Sequence, residues 1–291
     1  MGARETPRLI AASLLEDDAL RAHRVKGAPD ARFAAFLDGT QTSKAIAHVD
    51  GVPIVHGSVA AVIRQRVQRR MHTWHAPRVA RALFAPLALL PDAWRDALHA
   101  MELPLVDTLE RRQLESPHPF ALQDAAIHAV QDARERAERE LSESWCSRAE
   151  GVLFVDGAIT GSEIVATANC VVGVVKSHHT LYAEGEALRV VLRLQPGERT
   201  SGFRVTSPRR TPVASWYLRL RDAAGRDPLW GLVRVEVAEQ RGASTKAVGA
   251  RADDVSRWVL AEALPLAVPD GRWDKMVYGI RDCEEFLRAI Q

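Results

Sequence analysis

The chain has 291 residues, of which 47% are hydrophobic and 26% charged, and its formal net charge is +2. These values are typical of a globular protein with a sizeable core, and they exclude a protein that binds nucleic acid through its overall charge alone. Three widely spaced cysteines form neither a zinc motif nor an even-numbered disulfide framework, so we expect a cytoplasmic location. No apolar run approaches the roughly 18 residues of a membrane span, and we expect neither a membrane segment nor a signal peptide.

The N-terminal part of the sequence predicts a helical arm followed by strands. Residues 1–30 are expected to form a polar helix, and residues 31–62 an antiparallel meander of short strands. The first of these strands ends at Asp38 and Gly39, where we expect a turn before a strand resumes at 45–49. Asp-Gly pairs are common in hairpins, so an ordinary turn is an equal alternative to a functional role.

The middle of the chain predicts two helical segments. Residues 77–118 contain several prolines and predict a loop-rich helical insertion. Residues 120–145 have apolar side chains at helical spacing and charged side chains on the other faces, which predicts a long helix.

Two apolar runs after the long helix predict buried strands. Residues 152–155 lead into Asp156 and Gly157, and residues 171–175 lead into Lys176. If the two strands are neighbours, a carboxylate and a cation lie near one edge of a sheet.

The C-terminal part predicts further strands and two helices. Strands are expected at 188–194, 215–220 and 229–237, and helices at 250–263 and 281–290. Helices between and after the strands of a mixed sheet define an α/β fold with one curled sheet.

The candidate site consists of carboxylates far apart in the sequence. Asp38 and Asp156 end strands, one glutamate of the long helix can point inward, and Asp253 lies in the first turn of a late helix. Crowded carboxylates stay ionised around a hard cation, and Mg²⁺ or Mn²⁺ suits an all-oxygen site. Such a site activates water for phosphodiester cleavage, and Lys176 could neutralise phosphate charge. For Asp253, a helix-dipole role is the alternative.

Candidate nucleic-acid contacts are basic side chains in two clusters and one histidine. They are Arg64, Arg66, Arg204, Arg209, Arg210 and His178. Lysine and arginine clusters neutralise phosphates, but a charged sheet edge and a mobile surface loop are equal alternatives for the two clusters.

Several motifs carry a family resemblance. They are FLDGTQ (36–41), LFVDGAI (153–159), VVGVVKSHHTLY (171–182), SWYLRL (215–220), PLWGLVRVEV (228–237), ADDVSRWVL (252–260) and RWDKMVYGIRDCEEFL (272–287). From about residue 31 to residue 291, the chain resembles bacterial NurA-domain proteins. The resemblance implies an RNase H-like fold and a manganese-dependent nuclease acting on DNA ends and single strands. It also implies a homodimer and a HerA-type hexameric ATPase as partner.

The resemblance also assigns residues. Asp38 and Asp156 match the first and second family aspartates. Asp253 falls where the family carries an aspartate or a histidine, and the helical glutamate is Glu138, or else Glu135. We therefore expect a nuclease in DNA end processing or antiphage defence. The alternatives are a weakly catalytic scaffold that guides DNA on the ATPase, and an RNase H-like enzyme acting on RNA.

Overall fold

The computed structural model describes residues 6–109, 118–148, 150–208, 210–263 and 277–290. It shows an α/β protein with a large mixed sheet flanked by helices. The chain divides into two compact units: unit 1 is Met1–Leu37, Arg64–His72 and Ser142–Asp282, and unit 2 is Asp38–Ile63, Thr73–Leu141 and Cys283–Gln291.

The secondary-structure elements are as follows. The strands are β1 (Arg8–Leu9), β2 (Ser13–Leu14), β3 (Ala22–Arg24), β4 (Phe33–Val49), β5 (Val52–Val67), β6 (Arg70–Thr73), β7 (Arg78–Ala85), β8 (Leu105–Asp107), β9 (Val152–Val155), β10 (Val171–Val175), β11 (Thr180–Leu181), β12 (Glu198–Thr200), β13 (Phe203–Val205), β14 (Val213–Arg219) and β15 (Leu232–Ala238). The helices are α1 (Asp92–His99), α2 (Pro119–Arg148), α3 (Glu163–Thr167), α4 (Gly185–Arg193), α5 (Thr245–Glu262) and α6 (Tyr278–Ile290), with a 3-10 turn at Leu87–Leu89.

Unit 1 is built on strands in the order β2-β13-β14-β15-β10-β9, followed by the start of β4. β9 is parallel to both β10 and the start of β4, whereas β10, β15, β14 and β13 pair antiparallel. Every residue of β10 and β14 is buried, as expected for strands covered on both faces. The parallel centre brings the carboxyl ends of β9 and β10 to one edge.

Unit 2 contains the rest of β4, most of β5, and β7 and β8. Asp50 and Gly51, between β4 and β5, have φ angles of 50° and 82°. Positive φ at both central residues is the geometry of a type I′ turn, which suits the twist of a hairpin. Helix α2 covers this sheet, since Ala126 and Val130 share a buried cluster with Val55 of β5.

Most of the later elements were predicted correctly. The helices expected at 120–145, 250–263 and 281–290 are confirmed as α2, α5 and α6, and the strands expected at 152–155, 171–175, 215–220 and 229–237 as β9, β10, β14 and β15. Within the described part of the chain, none of the helices combines the length and hydropathy that a membrane span needs.

The predicted N-terminal helix is wrong. Residues 6–30 contain the short strands β1, β2 and β3, which pair with β11, β13 and β12. Pairing with strands distant in sequence outweighs the local helical pattern, because propensity is a weak preference compared with tertiary contacts.

Three further predictions need correction. The turn expected at Asp38 and Gly39 is absent, since β4 runs through both residues and the hairpin turn comes at Asp50. The strand expected at 188–194 is helix α4, because a short apolar run fits either structure. The helical insertion expected at 77–118 contains strand β7 and only one described α-helix, α1, while residues 110–117 lie outside the described part.

Candidate metal centre

In unit 1, a carboxylate and an ammonium group meet at the ends of two parallel strands. Asp156 follows the last residue of β9, and Lys176 follows the last residue of β10. The Nζ of Lys176 donates a hydrogen bond of 2.8 Å to Oδ2 of Asp156. The side chains are 21% and 18% exposed, so the pair is partly withdrawn from solvent. The predicted meeting of carboxylate and cation at this edge is confirmed.

The backbone around Asp156 is fixed by hydrogen bonds to both neighbouring strands. The N–H of Asp156 donates to the carbonyl of Leu37 at 3.2 Å, and the N–H of Gly157 donates to the carbonyl of Val174 at 3.1 Å. Gly157 has a φ of 145°, a conformation that glycine adopts without steric cost. The chain therefore turns directly after Asp156, as the sequence predicts.

Two aspartates each directly follow one member of a residue pair in the parallel strands β4 and β9. Leu37 of β4 is paired with Val155 of β9. The next residue after Leu37 is Asp38, and the next residue after Val155 is Asp156.

A buried carboxylate holds the loop after Asp156. Glu236 of β15 is fully buried and accepts a hydrogen bond of 3.0 Å from the N–H of Ile159. Its charge is balanced by Arg234, whose guanidinium donates to it at 2.7 Å. Gly173, paired with Glu236, leaves room for this loop, because a Cβ there would lie 2.8 Å from the carbonyl oxygen of Gly157. Glu236 is therefore a positioning residue for this turn.

The sequence contained a signal for this role that the pattern analysis passed over. In β15, charged residues alternate with valines, which suggests a sheet face open to solvent. Every residue of β15 is nevertheless buried. A buried carboxylate in a central strand needs a partner of opposite charge. The signal in the sequence was therefore the arginine two residues before Glu236, with which it forms an ion pair.

In unit 2, helix α2 places a glutamate beside strand β4. A Cβ built on Gly39 would fall against Oε1 of Glu138 and 2.9 Å from its Cγ and Cδ. Gly39 lies within a strand, so it is the position of the Glu138 side chain, and not the backbone conformation, that favours glycine there. Arg134 is ion-paired with Glu138, and its Nε donates to Oε1 of Gln41 at 3.0 Å. Glu138 therefore lies next to the residue that follows Asp38.

The alternative glutamate has different surroundings. Glu135 is 46% exposed and accepts a hydrogen bond of 2.9 Å from Gln131 on the same helix. Of the two glutamates, Glu138 is the one that packs against Gly39.

Asp253 belongs to a different group of charges. The buried guanidinium of Arg199 donates through Nε to Oδ1 of Asp253 at 2.7 Å, and through Nη1 and Nη2 to Glu16 at 2.7 and 3.0 Å. Two carboxylates thus compensate one buried cation. These contacts give Asp253 a structural role and do not support its predicted place among metal ligands.

A second group of metal-ligating side chains was missed. One ligand atom each from Glu16, Asp17 and His23 lies within 4.8 Å of the others, so this group could hold a metal ion. Ser201 donates to Asp17 at 2.6 Å and His23 lies 2.7 Å from the same oxygen. The hydrogen bond from Ser201, followed by that from His23, lowers the pKa of Asp17 below its ordinary value. The sequence analysis missed this cluster because it predicted a polar helix over residues 1–30.

This group lines a cavity of about 770 Å³ in unit 1. Arg24, Lys26 and Lys246 contribute basic side chains to the same cavity. The cavity therefore has a lining of mixed charge.

The basic side chains near the end of β5 are engaged within the protein. Nε of Arg64 donates to Asp282 at 2.5 Å, and Arg66 makes a bidentate pair with Glu262 at 2.8 and 2.6 Å. Bidentate pairing fixes a guanidinium in place. The predicted phosphate contacts at Arg64 and Arg66 thus have acidic partners within unit 1.

The remaining predicted contacts differ in their partners. Arg204 forms an ion pair with Glu239, and Arg210 donates to the hydroxyl of Thr160 at 3.3 Å. The Nε2–H of His178 donates to the carbonyl of Leu232 at 3.0 Å. The other predicted contact of this loop, Arg209, lies outside the described residues.

The comparison with protein-family models and the search of curated proteins found no match for this chain. The class of the protein is therefore defined by its geometry. It is an α/β protein that pairs a carboxylate with a lysine where two central parallel strands end.

Proposed function

We propose that this protein is a DNA nuclease of RNase H-like fold that depends on Mn²⁺ or Mg²⁺. The observation that carries the proposal is the ion pair between Asp156 and Lys176 at the ends of β9 and β10. Asp156 follows Val155 and Asp38 follows Leu37, and these two preceding residues are paired with each other in the sheet. This pairing supports a common role for the two aspartates. The resemblance to NurA-domain proteins points to the same chemistry.

The proposed ligands suit a hard divalent cation. Asp38, Glu138 and Asp156 offer only carboxylate oxygens, the donors that Mn²⁺ and Mg²⁺ prefer. Glu138 packs so closely on Gly39 that its carboxylate stays beside β4. A cation held by carboxylates of this kind would polarise the phosphodiester and lower the pKa of the attacking water.

The side chains have separate tasks in this proposal. The carboxylates of Asp38, Asp156 and Glu138 orient the reacting groups. The ammonium group of Lys176 neutralises charge that develops on a phosphate oxygen. Glu236 keeps the backbone after Asp156 in place through the N–H of Ile159.

The substrates and partners in this proposal follow the resemblance. We propose that the protein degrades DNA ends and single strands as a homodimer, together with a HerA-type hexameric ATPase, in DNA end processing or antiphage defence. Among the predicted arginine contacts that the structure describes, Arg210 has a hydroxyl and not a carboxylate as its side-chain partner, so we propose that Arg210 binds a phosphate.

The test is a substrate panel with Mn²⁺, using single-stranded DNA, duplex DNA, a DNA–RNA hybrid and RNA, each with and without the ATPase. We expect Asp38→Ala and Asp156→Ala to lower DNA degradation by at least about 1,000-fold, as loss of a principal catalytic group does. Asp18→Asn is the matched control, because Asp18 is 82% exposed and paired only with Arg21 among the described contacts. Preferential cleavage of RNA or of the hybrid would contradict DNA as the substrate.

A second candidate is a weakly catalytic subunit that guides DNA on the ATPase. It is favoured by one observation, which is that Lys176 pairs with Asp156 at 2.8 Å and so balances its charge within the protein. Titration calorimetry with Mn²⁺ separates the two candidates. If wild type binds no Mn²⁺ and cuts none of the substrates with its ATPase present, the guiding role replaces the nuclease.

A further inference from the structure

One histidine and two carboxylates from a short segment of unit 1 line the same cavity. Glu16 and Asp17 follow β2, and His23 lies in β3. All three line the cavity of about 770 Å³, and one ligand atom from each lies within 4.8 Å of the others. Ligands of one Zn²⁺ ion are about 3–3.5 Å apart, so these atoms would have to close by no more than about 1.5 Å to share an ion.

Asp17 and His23 each keep a ligand atom for an ion. Every described hydrogen bond of the Asp17 carboxylate is made by Oδ2, which accepts from Ser201 at 2.6 Å and lies 2.7 Å from Nε2 of His23. The other oxygen, Oδ1, therefore remains available among the described contacts. Either tautomer of a neutral imidazole offers one ring nitrogen with a lone pair, so His23 can supply the nitrogen ligand.

The third ligand, Glu16, is held in place from the sheet. Its Oε2 accepts from Nη1 of Arg199 at 2.7 Å and from the N–H of Gly202 at 2.9 Å. Its Oε1 accepts one described hydrogen bond, from Nη2 of Arg199 at 3.0 Å, and a carboxylate oxygen has a second lone pair. Partners that orient metal ligands in this way raise the affinity of a site for its ion.

The charges next to the three ligands favour a cation. The buried guanidinium of Arg199 is shared by Glu16 and Asp253, and Asp17 adds a third carboxylate. Three negative charges and one positive charge leave an excess of two negative charges, which a divalent ion would balance. The basic side chains of the cavity are exposed, so solvent screens their charge; they are Arg24, Lys26 and Lys246.

We propose that Glu16, Asp17 and His23 bind a zinc ion, with ligands other than those of the candidate metal centre. An imidazole combined with carboxylates suits Zn²⁺, whereas Mg²⁺ favours oxygen ligands alone. Three protein ligands leave the fourth position of a tetrahedral ion for water or an anion in the cavity. The basic side chains of the cavity would favour an anion there.

Zinc at this site would fasten the N-terminal strands of unit 1. All three ligands lie on or between β2 and β3, which pair with β13 and β12. An ion that binds only the folded segment stabilises it in proportion to occupancy. With free Zn²⁺ at about 100 times the dissociation constant, we expect the melting temperature to rise by at least about 5 °C.

The experiment titrates the full-length protein, freed of metal with EDTA, with ZnCl₂ by calorimetry and measures the melting temperature. Loss of an outer partner weakens metal binding about 10–100-fold, so loss of a ligand in His23→Gln or Asp17→Asn should weaken Zn²⁺ binding by at least about 100-fold. Asp18→Asn is the matched control, because Asp18 is 82% exposed and does not belong to the cluster. The double variant Asp38→Ala/Asp156→Ala should retain this zinc ion and its thermal shift.

Three results would overturn the inference. One is a double variant that no longer binds Zn²⁺, and another is wild type that binds Mg²⁺ as tightly as Zn²⁺ when the double variant is titrated beside it. The third is a zinc anomalous-diffraction peak in wild-type crystals that lies away from Asp17 and His23. The diffraction measurement decides the question even if a variant fails to fold, and it does not depend on nuclease activity.

Discussion

Replacement of Gly39 by alanine tests whether the glutamate beside strand β4 must keep its position. The new Cβ would fall against Oε1 of Glu138 and 2.9 Å from its Cγ and Cδ. Carbon atoms at van der Waals contact are about 3.5–4.0 Å apart, so the Glu138 side chain has to retreat by about 1 Å. Helix α2 stays in place, because only the end of a flexible side chain is displaced.

We expect Gly39→Ala to have a small effect on stability, because a gain from replacing glycine and a loss from the ion pair nearly cancel. Alanine at a position whose backbone suits it stabilises a protein by about 0.4–1 kcal/mol, because the unfolded chain loses freedom. Weakening the pair between Arg134 and Glu138, four residues apart on one helix, costs about 0.3–0.5 kcal/mol. The net change in the free energy of unfolding is therefore within about 1 kcal/mol, or a few degrees in melting temperature.

The effect on activity is large if Glu138 is a ligand. A displacement of about 1 Å can lower a catalysed rate by about 100-fold. We expect Gly39→Ala to degrade DNA about 100-fold more slowly and to need more Mn²⁺ for half-maximal activity. The assay is Mn²⁺-dependent degradation of linear DNA, with melting temperature measured on the same preparations.

Gly161→Ala is the matched control for this substitution. A Cβ on Gly161 meets no atom within 4 Å, so this variant should keep wild-type activity. Wild-type activity and Mn²⁺ dependence in Gly39→Ala would refute the placement of Glu138 among the ligands. A melting temperature lowered by more than about 10 °C would show instead that the fold requires the glycine.

Three further substitutions test the surrounding charges. Lys176→Met removes the charged hydrogen bond to its partner carboxylate, and we expect urea denaturation to show a free energy of unfolding lower by about 1–3 kcal/mol, with DNA degradation at least about tenfold slower; unchanged activity would exclude a role in phosphate neutralisation. Glu236→Gln leaves Arg234 buried without its counter-charge, so the free energy of unfolding should fall by about 3–5 kcal/mol in the same assay; a loss below about 1 kcal/mol would contradict the positioning role. The hydrogen bond from Ser201 lowers the pKa of Asp17. The ionised Asp17 therefore stabilises the folded protein above about pH 4, and this stabilisation is lost as the pH falls through the lowered pKa. Asp17→Asn should therefore lose less stability than wild type in urea melts below about pH 4, and parallel pH profiles would refute this.

The sequence predicted the elements whose local pattern and tertiary contacts agree. Residues 152–155 and 171–175 are unbroken apolar runs, and they form central strands because burial on both faces favours such runs. Each run is followed directly by a charged residue, and this position was enough to predict that Asp156 and Lys176 lie together. Pattern and position were sufficient here because parallel strands end at the same edge.

The sequence failed where distant partners decide the structure. Residues 6–30 have no local pattern of a strand, and their pairing with β11, β12 and β13 depends on chain segments about 170 to 190 residues later. The polar contacts of Asp253 and Glu16 depend on Arg199 in the same way. Local sequence carries no signal for such partners. Asp253 was expected in a first helical turn but lies in the middle of α5, and the sequence alone could not distinguish a carboxylate paired with a buried arginine from a metal ligand.

The meeting of Asp156 and Lys176 depends on the lengths of two strands more than on the identity of their apolar residues. Side chains alternate between the faces of a strand, so one inserted or deleted residue in β10 would send the ammonium group to the opposite face. Exchange of one valine for isoleucine within β10 leaves the alignment unchanged. During evolution, this part of the protein should therefore tolerate substitution in its apolar runs far better than any change in their residue count.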